Sequence, residues 1–70
     1  MLEYKTNILD DGCEFCGWIY GDERVFGTKI YPNGAKFTGP YLNNLRHGTG
    51  IKQHADGKQV LVRYINGTRL

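Results

Sequence analysis

The sequence predicts an all-β protein: an antiparallel stack of β-hairpins forming one twisted sheet. Three observations carry this. Asp-Gly or Asn-Gly recurs at Asp11-Gly12, Asn33-Gly34 and Asp56-Gly57, and the anchoring glycines stand 22 and 23 residues apart. Each turn is followed by apolar residues at alternate positions, the period of a half-buried strand. Glycines also fall at strand positions, as in "YPNGAKFTGPYLNNLRHGTG", where glycine marks the close approach of another group.

The elements follow in chain order. "LEYKTNIL" precedes the first turn and offers a cover for Leu61 and Ile65 as the alternative to a partner there. "DGCEFCG", residues 11–17, is the first turn and strand, and "GWIYGDERVFG", residues 17–27, carries the chain back. "NGAKFTG", residues 33–39, repeats the pattern with Phe37, Gly39 and Tyr41 on one face. "NNLRH", residues 43–47, breaks the alternation and reads as a hairpin turn, from which "GTGIKQ", residues 48–53, returns as the partner strand. "DGKQVLV", residues 56–62, opens the third copy, with Val60, Val62 and Tyr64 on one face and Leu61 and Ile65 on the other. Asn66-Gly67-Thr68 reads as the third hairpin turn. Each anchoring glycine is followed three residues later by Phe15, Phe37 or Val60, and preceded by seven by Lys5, Gly27 or Gly50.

With 70 residues, the chain is one domain, residues 1–70, divided into repeats at about 11–32, 33–55 and 56–70. A domain this short buries only about 60% of its unfolded surface. The composition is globular, 40% hydrophobic and 13% aromatic. No apolar run approaches the roughly 18 residues of a membrane span, and the N-terminus lacks the apolar core of a signal peptide, so a cytoplasmic protein is expected. Charge is unevenly spread: residues 1–23 carry six acids and one Lys, residues 24–70 eight Lys or Arg and one acid.

This arrangement resembles the MORN (membrane occupation and recognition nexus) repeat. The residues that carry the likeness are "YPNGAKFTGPYLNNLRHGTG": turn Gly, aromatic, Gly, aromatic, turn and Gly-x-Gly. The first copy departs from it, being one residue shorter and having Val25 where the second has Gly48; the third stops at Leu70. The resemblance implies a row of stacked hairpins. It also implies an interaction or membrane-associated scaffold without catalysis in the repeats. A small SH3-type barrel is the alternative fold, although it does not require evenly spaced turns.

Candidate sites are few. Cys13-x-x-Cys16 has the spacing of a zinc or redox pair, but strand alternation points the two thiols to opposite faces. His47 and His54 are seven apart, wider than paired ligands usually stand. The cysteines are therefore read as small hydrophobes, and no metal or other cofactor is expected. The chain has no serine, and no catalytic residue is assigned.

The leading expectation is a non-catalytic module that binds a protein partner or itself, as a homodimer or larger assembly. Its partner surface is Phe15, Trp18, Phe37, Tyr41, Leu61, Tyr64 and Ile65, and residues 58–65 form an edge that seeks a partner. One alternative is anionic lipid or nucleic acid on a basic outward face of Lys36, Lys52, Lys58 and Arg63. Another is a small stand-alone inhibitor, of phage or mobile-element type, that occludes a larger enzyme with an acidic patch of Asp10, Asp11, Asp22 and Glu23.

Overall fold

The computed structural model describes residues 1–70. Eight strands form one open antiparallel sheet: β1 (Leu2–Ile8), β2 (Glu14–Tyr20), β3 (Glu23–Ile30), β4 (Lys36–Leu42), β5 (Leu45–Arg46), β6 (Gly48–Gln53), β7 (Gln59–Ile65) and β8 (Thr68–Arg69). Their order is β1-β2-β3-β4-β6-β7-β8, with β5 beside β6 on the same flank of β4. There is no helix, and the sheet measures 35 × 23 × 18 Å.

The three Asp/Asn-Gly turns share one construction. Gly12, Gly34 and Gly57 take φ of 86°, 91° and 96°, the left-handed region open to glycine. The amide of each donates to the carbonyl three residues earlier, on Leu9, Tyr31 or His54. The preceding Asp or Asn oxygen accepts from the amide two residues on, at 3.0 Å from Cys13, 3.0 Å from Ala35 and 2.9 Å from Lys58. This Asx geometry is the physical reason those residue types recur.

The hairpin turns at the other end of the sheet are tighter than the spacing suggests. Only Asn43 and Asn44 form the middle one, both at positive φ, and Leu45–Arg46 already pairs with β4. Two residues suffice because asparagine tolerates the left-handed conformation that such hairpin turns require. Asn66 and Gly67 repeat the device before β8, which is the beginning of a return strand in the third copy.

The core lies on one face of the sheet and is one side chain thick. Phe15, Ile19, Phe37, Tyr41, Val62 and Tyr64 form it, and Phe15 and Phe37 are fully buried. A row of glycines runs beneath the rings: Gly17 faces Gly27, and Gly27 faces Gly39 across the strands, with Gly50 beyond. A Cβ on Gly27 would stand 2.7 Å from Phe15 Cζ, and one on Gly50 2.6 Å from Phe37 Cε1. The expected pocket for a ring over strand glycines is thus present twice. The rings meet edge to face, Phe15 on Tyr41 at 5.4 Å and Phe37 on Tyr64 at 5.3 Å between centroids.

The N-terminal segment does not cover Leu61 and Ile65. It forms β1, pairs with β2 along its length, and lies at the opposite edge of the sheet from β7. Lys5 faces Gly17 as Gly50 faces Val62, so β1 occupies the place of a return strand before the first unit.

Candidate functional site

Pleating divides the expected partner surface between two faces. Phe15, Phe37, Tyr41 and Tyr64 are core residues and are not available to a partner. Trp18, Leu61 and Ile65 lie on the other face and are exposed, Leu61 to 75%. The strand glycines leave room for the rings of Phe15 and Phe37, which therefore turn inward rather than toward a partner.

The outer face is instead apolar over much of its extent. Tyr4 faces Trp18, Trp18 faces Phe26 and Phe26 faces Pro40, one cross-strand row over four strands. Tyr4 meets Trp18 edge to face at 5.4 Å. The next row begins at Thr6 and Cys16, continues through Thr28 and Thr38, and ends at Ile51 and Leu61. Thr28 and Thr38 share a hydroxyl hydrogen bond of 2.8 Å. Leu2, Tyr20, Leu42, Leu45 and Ile65 are exposed as well.

The basic face does not assemble. Lys52 faces Phe37 and Val60, and so belongs to the core side of the sheet. Alternation from Val60 gives Lys58 the same parity. Lys36 and Arg63 are on the outer side, but β6 separates their strands and their register partners, Gln53 and Thr49, stand four residues apart on it. The four cations therefore make no common surface.

The acidic patch divides similarly. Asp10 and Asp11 lie in the turn before β2, while Asp22 and Glu23 lie at the turn after it. Seven residues of extended strand intervene, about 20 Å. Asp11 is committed to its turn and pairs with Lys29 at 3.7 Å. The Cys13 amide, then its thiol and Lys29, hold the Asp11 carboxyl below the usual carboxylate range.

Cys13 is buried on the core side and Cys16 half-buried on the outer side, where its thiol donates to Glu14 at 3.4 Å. Both thiols are free. Burial, and after it the Asp11 carboxylate, pushes the Cys13 thiol above its ordinary pKa. Residues His47 and His54 are remote from the pair, and the structure holds no group of three or more His, Cys, Asp or Glu placed to share a metal ion.

A set of residues missed in the sequence completes the geometry. Arg24 and Arg46 stand twelve after Gly12 and Gly34, and Arg69 twelve after Gly57. The Arg24 guanidinium carbon lies 5.6 Å from the Phe15 centroid and 5.5 Å from that of Tyr41. That of Arg46 lies 5.7 Å from Phe37 and 4.3 Å from Tyr64. Each arginine thus bridges an aromatic of its own unit and one of the next. The fixed offset from the turn glycines is a sequence signal, but a polar residue stands outside the hydrophobic alternation that marks the strands.

No family model matches this chain, and no curated protein matches it. No helix is long and apolar enough to cross a membrane.

Proposed function

We propose that this protein is a non-catalytic, MORN-like interaction module that associates with a second copy of itself through the β7 edge and the apolar outer face. The observation that carries the reading is at β7. β8 covers Tyr64 and Ile65, and the Leu70 amide donates to the Arg63 carbonyl at 2.9 Å, so Gln59–Val62 has no strand on that side. Leu61 and Ile65 project from the same strand into solvent, and Ile51, Gln59, Val60 and Leu61 line a shallow cavity of about 180 Å³. Unpaired backbone groups beside exposed apolar side chains are the features a strand partner satisfies.

The charge distribution supports a copy of the same chain as that partner. Folding turns the sequence asymmetry into a spatial one: the β1–β2 end carries Glu3, Glu14, Asp22 and Glu23, the β7–β8 end Lys58, Arg63 and Arg69. Unlike ends attract in a head-to-tail pairing of β7 with β1, and β1 already has the register of a return strand. Such a contact is heterologous and gives rings or open chains rather than a closed pair.

Sedimentation velocity over a wide concentration range tests this. Mass is expected to rise with concentration and to fall back to the monomer in Leu61→Lys and in Ile65→Lys. A wild-type chain that remains monomeric at every concentration removes the self-pairing reading.

A further inference from the structure

The core side of the sheet carries a cleft of about 230 Å³ whose lining includes Arg24, Lys29, Tyr41, Asn44 and Arg46. It lies on the face opposite the proposed docking surface and is independent of it. Three cations converge here, and only one meets a carboxylate: Lys29 pairs with Asp11. The other ion pair of the chain, Lys5 with Glu3, is elsewhere, so neither guanidinium has an acidic partner. The arginines are held by rings and by neutral oxygens. Arg24 donates to the Asn44 carbonyl at 2.8 Å, and Arg46 donates to the hydroxyls of Tyr31 and Tyr64 at 2.7 and 3.2 Å.

Two polar groups remain without partners in this place. Tyr41 is only 9% exposed, and its hydroxyl makes no hydrogen bond; Arg24 Nε is also buried and unpaired. Buried polar atoms are nearly always satisfied, and each exception asks for an explanation. Here both exceptions are able to donate, and they line one cleft with two unneutralised guanidiniums. The cleft is rich in donors and poor in acceptors. A single water accepts from two of these groups but leaves the charge unanswered. An oxyanion answers both.

We propose that the cleft between the Arg24 and Arg46 stacks binds a phosphate monoester group, with Arg24, Arg46 and Lys29 supplying charge and the Tyr41 hydroxyl a neutral donor. Three cations less the Asp11 carboxylate leave two positive charges, which a phosphate dianion matches and a carboxylate or phosphodiester does not. Its terminal oxygens accept several hydrogen bonds at once, and guanidinium donors suit their geometry. Burial pushes the Tyr41 phenol up to about 12, against the opposing influence of Arg24, so at neutral pH it keeps the proton it donates.

The test is a titration of the full chain followed by NMR, with inorganic phosphate as the probe and chloride at equal ionic strength as the control. Saturable shifts of the Arg24 and Arg46 Nε–H signals are expected with phosphate alone. Tyr41→Phe keeps the ring and the fold and removes one donor, so binding weakens about three- to tenfold. Arg24→Gln and Arg46→Gln abolish it. A parallel arm uses phosphatidylcholine vesicles with and without phosphatidate. Dependence on the Tyr41 hydroxyl decides the matter, and the arm that shows it tells whether the phosphate is soluble or carried by a lipid. Absence of saturable binding in both arms, or equal affinity in Tyr41→Phe, overturns the proposal.

Discussion

Arg24 and Asn44, twenty residues apart, hold each other through two hydrogen bonds. The Arg24 amide donates to Asn44 Oδ1 at 2.7 Å, and its guanidinium donates to the Asn44 carbonyl at 2.8 Å. Asn44 Nδ2 also donates to the Asp22 carbonyl at 3.3 Å. The hairpin turn of the second unit thereby fastens the bulged return strand of the first. Gly67 does likewise one unit later, its amide donating to the Arg46 carbonyl at 2.8 Å.

Asn44→Gly isolates this fastening. Asn44 has φ 63°, which glycine adopts without strain, so only the side-chain bonds are lost. We expect a loss of about 1–3 kcal/mol, read as a fall in Tm of roughly 4–8 °C per kcal/mol. Asn44→Ala loses more, because alanine resists that backbone.

Gly50→Ala tests the ring-over-glycine core. The added methyl meets Phe37 ring carbons at 2.6 and 2.7 Å and the Thr38 carbonyl oxygen at 2.7 Å. The ring cannot retreat, since it also lies against Gly39. Overpacking of this kind costs about 1–3 kcal/mol. The check is urea unfolding, with Phe37→Leu in the Gly50→Ala background expected to recover part of the loss.

Asp11 sets an acid limb of stability. Its carboxyl is depressed below the ordinary 3.8 chiefly by the Cys13 amide. The contribution is therefore complete above 3.8 and disappears as pH falls through the lower, folded-state value. Asp11→Asn keeps the turn, because Asn33 makes the same bond in the second unit. The stability difference between wild type and Asp11→Asn is expected to shrink as pH falls below 3.8, when measured by urea unfolding.

Cys13 and Cys16 differ in reactivity for the same structural reason. Cys13 is buried and its thiol is pushed up, first by burial; both effects suppress the thiolate. A thiol reagent at neutral pH modifies Cys16 first. Cys13 reacts at a rate set by opening of the fold, and it accelerates in Gly50→Ala.

The turn signals and strand alternation were sufficient to read the hairpins. Gly12, Gly34 and Gly57 have backbones that few other residues accept, and such demands leave a visible mark. The faces were harder. Lys52 was expected beside Lys36, but the two are of opposite parity, because residues of adjacent strands share a side only through register. Val25 and Gly48 belong to the irregular stretches of the return strands, where counting along the chain no longer tracks the pleat. β1 gave no sign of its place, since all seven of its residues are exposed and no buried stripe marks it. The cleft of Arg24, Arg46 and Tyr41 was legible only in part: the arginines keep a fixed offset from the turn glycines, but the members come from three strands and only ring stacking shows that they meet.

The bridging of rings by Arg24 and Arg46 makes every unit answerable only to its immediate neighbour. A duplication of 22 residues would install another arginine, another pair of rings and another fastening turn, with no contact of a new kind. The molecule can thus gain length by copying without redesign, and its rigidity along that axis is inherited, joint by joint, from a contact between a cation and two aromatic faces.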